Sequence, residues 1–264
     1  MRKVIVLGLD GGVPYQFHKR ALRGELPNIK RLIDDGFFAP ALPLPSGVTP
    51  VNWLSVVTGA YSGTHGVSEF CVHLPGTPLT EWREAFHSDV CQAEFIRDAL
   101  ARAGLKTAAI SFPGSYPRTC GELIAIGDVG RPGDGSSPYE TTRLTPQQEL
   151  VTVVSDYYKG DHGSSRPSKR FGLGAETALF GIYGAGIRKV GYRHKPIKLT
   201  DVTPTICALL GVNPPAQCEG TVVRDCINPR PRFLSPALHS RLPSLVFGPP
   251  SSLFVPVDVV AVQV

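Results

Sequence analysis

Much of what would assign this chain quickly is missing from it. The six cysteines, Cys71, Cys91, Cys120, Cys207, Cys218 and Cys226, form no CxxC pair and no zinc-finger spacing, so they read as small hydrophobes in a reducing compartment. No GxGxxG follows the first apolar run, where GLDGGVP stands instead, and this argues against a dinucleotide site. The basic residues form no stripe. Their densest group is Arg166, Lys169 and Arg170, and the net charge is only +5. That balance suits a small anionic ligand better than a nucleic-acid groove. No long apolar run is intact: the tail from Leu245 to Val264 is broken by Pro249, Pro250, Pro256 and Asp258, a poor membrane span. The N-terminal run stops at Leu9 before an aspartate, with no small-residue cleavage site after it. The expectation is a soluble, cytoplasmic protein with neither nucleic acid nor membrane as partner.

Alternating strands and helices are present. Val4 to Leu9 is a continuous aliphatic run, which predicts a central parallel strand buried on both faces, with Asp10 at its carboxyl end. Leu26 to Asp35, closed by Gly36, predicts a helix, and Pro40 to Pro50 a loop. Asn52 to Thr58 before Gly59, Glu94 to Ala103 before Gly104, and Asp201 to Leu210 before Gly211 predict further helices, with Asp201 as an N-cap. Strands are expected at Thr107 to Phe112, Leu123 to Ile126, Leu150 to Val154 and Ala178 to Tyr183. The fold class that follows is α/β, with a mostly parallel central sheet and helices on both faces. One domain is expected over residues 1–228, with 127–146 as a loop or deletion site, and a proline-rich extension over 229–264.

Asp10 and the segment Ser46-Gly47-Val48-Thr49-Pro50-Val51-Asn52 carry the first chemistry. A carboxylate at a strand end is a hard oxygen ligand for a divalent cation. A hydroxyl opening a helix can share that cation and act as a nucleophile, with the helix's positive end supporting a phosphate. An amide one turn on can donate to a phosphoryl oxygen. By residue type, Ser46 and Ser55 compete with Thr49 for the nucleophile's role.

GLDGG, LPNIKRLIDDG and VTPVNWLSVVTGAYSGTHGV, taken in that order, resemble the opening of the type I phosphodiesterase/nucleotide pyrophosphatase family of the alkaline phosphatase superfamily. ISFPGSYP with IAIGD, and FGIYGAGIRKVGYRHKPIKLTDVTPTICALLGVNPPAQCEG, resemble later segments of the same family. The resemblance implies an alkaline phosphatase-like fold. It implies Asp10 as a metal ligand, Thr49 as nucleophile and ligand, Asn52 as a phosphate contact, and His65 as a structural residue.

The resemblance weakens in the second half of the site. The family's two-cation centre takes two Asp-His groupings and a further histidine. Here Asp156 is followed by Tyr157 where that histidine would stand, and no Asp-His pair lies between Ile126 and Leu150. Gly160-Asp161-His162-Gly163 is the remaining candidate. It fits either the "DHG" pair, supplying Asp161 and His162, or a later loop supplying His162 alone. Asp10, Thr49, Asp161 and His162 make four ligands, fewer than the roughly six to eight that two ions require. The implied cofactor is zinc, one or two ions, with manganese or magnesium as alternatives. The implied activity is hydrolysis of a phosphodiester, a phosphomonoester or a small nucleotide. The alternative is a catalytically impaired relative acting as a binding protein.

Overall fold

The computed structural model describes residues 3–10, 13–45, 47–110, 112–115, 117, 119–120, 123–126, 177–229 and 257–263. In chain order the elements are β1 (Lys3–Leu9), α1 (Pro14–Leu22), α2 (Pro27–Asp35), β2 (Phe37–Leu42), α3 (Thr49–Thr58), α4 (Ser62–His65), β3 (Cys71–Val72) and β4 (Arg83–Glu84). Then follow α5 (Ile96–Arg102), β5 (Thr107–Ile110), β6 (Leu123–Ile126), β7 (Ala178–Tyr183), β8 (Gly191–Tyr192), β9 (Ile197–Lys198), α6 (Val202–Leu210) and β10 (Val257–Gln263).

The main sheet runs β1-β10-β7-β2-β8, with β9 also on β2. It is mixed. β1 is parallel to β10, and β2 is parallel to β8 and β9, but β7 is antiparallel to both β10 and β2. This corrects the expectation of a mostly parallel sheet. An apolar run buried on both faces, such as ALFGIY of β7, reads the same in either direction. β5 and β6 form a separate parallel pair, and β3 and β4 a short antiparallel one.

Two apolar layers cover the sheet. On one face α3 and α6 bring Val56, Val202, Ile206 and Leu209 against Phe37, Phe180 and Ile182. On the other, α1 and α2 bring Ala21, Leu32 and Ile33 against Phe38 and Leu179. The second layer does not reach β1, whose Val4 and Val6 face the first core while Ile5, Leu7 and Leu9 on the opposite face are exposed. The expected burial of β1 on both faces is therefore corrected to one, and β1 is the terminal strand of the described sheet rather than a central one.

β2 lies inside the sheet although Pro40 interrupts it, within a stretch whose prolines predict a loop. Phe38 accepts a hydrogen bond from the Arg193 N–H at 2.8 Å. By the two-residue repeat of a strand, the Pro40 nitrogen faces the same side. There β8 pairs with Phe37 and Phe38, and β9 with Ala41 and Leu42, so the proline falls in the gap between them. The missing donor costs no ladder bond.

The helix ends follow the sequence closely. α3 and α6 stop at Gly59 (φ 72°) and Gly211 (φ 75°), both left-handed, as glycine at this position allows. Asp201 is the N-cap residue of α6, as expected, but its side chain makes no cap bond to that helix. It ends the 3-10 turn Leu199–Asp201, where Oδ2 accepts the Lys198 N–H at 3.0 Å and Oδ1 accepts the Thr221 N–H at 2.8 Å. Val257–Gln263, in the stretch expected as an extension, forms β10 between β1 and β7.

Candidate active site

Thr49 occupies the first position of α3, directly before Pro50, whose absent N–H is no loss in a first turn. The N-cap residue, Val48, supplies no side-chain hydrogen bond to the helix start. The first-turn amides are thus not closed off by their own cap. Thr49 is half-buried and Asp10 is exposed.

α3 is placed by its next turn. Trp53 is 3% exposed and its ring rests on Gly8 of β1: a Cβ built on Gly8 would stand 2.5 Å from Trp53 Cη2. Phe112 closes the other side, its ring edge-on to Trp53 at 5.0 Å between centroids. The helix that begins at Thr49 thus meets the strand that ends before Asp10 through this ring. This contact has no periodicity signal, and sequence reasoning missed it.

Asn52 is buried, and its Oδ1 accepts the Leu44 N–H at 2.8 Å, tying the loop before α3 to the helix. Its Nδ2 is what it has left to offer a phosphoryl oxygen. Ser55 is fully buried with its Oγ 3.0 Å from His65 Nε2, so this rival nucleophile has no route to a substrate. Ser46, Asp161 and His162 lie outside the described residues.

A second group missed in the sequence is Arg97 on α5. Its Nη1 donates to the Gly114 carbonyl at 2.8 Å and its Nε to Thr119 Oγ1 at 2.9 Å. The guanidinium lies 3.7 Å from the centroid of Phe95. A mostly buried arginine thus anchors the loop after β5, and burial holds its pKa below the usual value.

Residues 4–170 match the model of the type I phosphodiesterase/nucleotide pyrophosphatase family. The chain belongs to this family. Among solved structures, it is similar to phosphonoacetate hydrolase from Sinorhizobium meliloti 1021 in complex with phosphonoformate, at 25% identity over 42% of this chain and 26% of that one, with a TM-score of 0.34. The same hydrolase with phosphonoacetate matches at 26% identity over 42% and 26%, with a TM-score of 0.33. Murine ectonucleotide pyrophosphatase/phosphodiesterase 5 matches at 19% identity over 44% of this chain and 31% of that one, with a TM-score of 0.37. The chain thus spans between 26% and 31% of the length of these structures. No curated protein matches it.

Asp10 and Thr49 offer the hard oxygen donors a divalent cation takes. Among the described residues, no group of three or more His, Cys, Asp or Glu side chains is gathered for a metal. The other residues expected as ligands, Asp161 and His162, lie outside the described residues. No helix among the described residues is long and apolar enough to cross a membrane.

Proposed function

We propose that this family member hydrolyses a phosphodiester, a phosphomonoester or a small nucleotide through Thr49. The observation that carries the reading is the position of Thr49, half-buried at the start of a helix with no side-chain N-cap bond, whose Trp53 meets Gly8 of β1.

Thr49 gives up its hydroxyl proton as Oγ1 attacks phosphorus, the P–O bond to the leaving group breaks and the departing oxygen takes up a proton. Water then cleaves the Oγ1–P bond, releasing a phosphomonoester from a diester or phosphate from a monoester and restoring the threonine hydroxyl. The open first turn of α3 receives phosphoryl oxygens, and Asn52 Nδ2 donates to one of them. Asp10, Thr49, Asp161 and His162 are the residues that would hold a divalent cation, zinc by preference because of the imidazole. Such a cation lowers the pKa of a hydroxyl and neutralises charge on the transferring group.

The test is turnover of bis-p-nitrophenyl phosphate in the presence of zinc or manganese. Thr49→Ala should abolish it with the fold intact, and Thr49→Ser should keep part of it. An alanine variant as active as the parent removes the role of Thr49. Zinc binding without turnover in the parent replaces hydrolysis with the binding-protein reading.

A further inference from the structure

We propose that Trp53 is the positioning residue of this site: its indole, lodged against the bare backbone of Gly8, sets how Thr49 stands relative to Asp10. The inference rests on the hydrolase reading and deepens it.

Thr49 and Trp53 are four residues apart on α3 and so share one face of the helix. Asp10 follows the end of β1, two residues after Gly8. From the Trp53–Gly8 contact, Thr49 is about 6 Å away along the helix and Asp10 about 7 Å away along the chain. One contact therefore relates the two oxygens. It is also a close one: a Cβ at Gly8 would meet Cη2 at 2.5 Å and Cζ3 at 2.8 Å, both in a rigid ring. Phe112 packs edge-on to the indole and would stand 3.5 Å from the same Cβ, so two rings bound the space beside Gly8.

Among the described residues, the buried Trp53 Nε1–H has no hydrogen-bond partner. A buried indole ordinarily finds one. A phenyl ring at this position would avoid that cost, so the indole's contribution is its reach across to β1.

The experiment uses the full chain in a Trp82→Phe background, which leaves Trp53 as the single tryptophan of the two. Gly8→Ala, Trp53→Phe and the double variant are compared for kcat and KM on bis-p-nitrophenyl phosphate, for zinc affinity, and for Trp53 emission during zinc titration. The expected result for Gly8→Ala is a kcat loss on the order of a hundredfold with KM nearly unchanged, as a misplaced reacting group produces. Its zinc affinity should weaken in parallel. Adding Trp53→Phe should recover part of both, because the smaller ring makes room for the new methyl group. If Gly8→Ala does not fold, Trp53→Phe alone supplies the test, since it retracts the ring from Gly8 and should lower kcat without raising KM. Zinc should shift Trp53 emission in the background protein.

Unchanged kcat and zinc affinity in Gly8→Ala or Trp53→Phe, with Thr49→Ala inactive, overturns the positioning role and leaves the hydrolase reading standing. A Gly8→Ala loss that follows the unfolding temperature and is not recovered by Trp53→Phe also overturns it. A parent chain that neither turns over nor binds zinc removes the hydrolase reading, and this inference with it.

Discussion

Ser55 Oγ and His65 Nε2 lie 3.0 Å apart, and both side chains are fully buried. The Val67 N–H donates to His65 Nδ1 at 3.2 Å, so the ring proton sits on Nε2 and is donated to the serine. A serine beside a histidine has the outline of a nucleophile and its base. Burial gives this pair a different role: it pins α3 to α4 and the turn that follows. Burial also pushes the His65 pKa down to about 4, an effect that hydrogen bonding to the Val51 backbone partly opposes.

A pH dependence follows. Unfolded, His65 titrates near its ordinary value of about 6.5. Between there and about 4 the unfolded chain binds the proton and the folded chain does not. The stabilisation is therefore complete above about pH 6.5 and lost as pH falls toward 4, by roughly 3 kcal/mol. Urea unfolding at neutral pH and near about pH 4.5 should show this loss in the parent and much less of it in His65→Gln. An equal loss in both proteins would refute the assignment.

Asn52 has two separable roles. Asn52→Ala leaves the Leu44 N–H without its acceptor and should destabilise the protein by about 1–3 kcal/mol. Asn52→Asp keeps an acceptor for Leu44 but removes the donor proposed for the phosphoryl group. Burying a carboxylate at position 52 also destabilises the protein. The test is therefore turnover at a temperature where unfolding shows the variant still folded, and there it should lose most phosphoester turnover. Full turnover in Asn52→Asp would assign Asn52 to the loop alone.

Asp161 and His162 are to be tested by metal binding. Zinc titration of His162→Ala should show weakened affinity, since a neutral imidazole is a favoured zinc ligand. A comparable loss in Asp161→Ala identifies the "DHG" pair, and a loss in His162→Ala alone identifies the later loop. Parent-like affinity in both variants would mean that this motif binds no metal.

Most of the candidate site's local setting was legible in the residues. The apolar run before Asp10 forms β1, and Thr49-Pro50 opens α3, because strand runs, N-terminal prolines and C-terminal glycines act over a few bonds. α1 was missed, since PYQFHKRAL is a short, largely polar run that buries only Pro14 and Ala21. β2 was missed because Pro40 argues against a strand unless the gap between β8 and β9 is known. The strand within VDVVAVQ was passed over behind Pro256, although proline commonly precedes a strand and the run is β-branched.

The sequence by itself determined the family, the order of its motifs, and where Asp10 and Thr49 fall relative to their strand and helix. Those properties depend on residue type and short-range spacing. Only the tertiary structure decided that β7 runs antiparallel to its neighbours, that β10 enters between β1 and β7, and that none of the described helices covers the face of β1 bearing Ile5, Leu7 and Leu9. Strand direction and neighbours are set by how distant segments meet, and the same apolar run serves in either direction. The seat of Trp53 on Gly8 belongs to this second group. It exists because a residue with no side chain on one element meets a large ring on another, and no local pattern in either segment encodes that meeting.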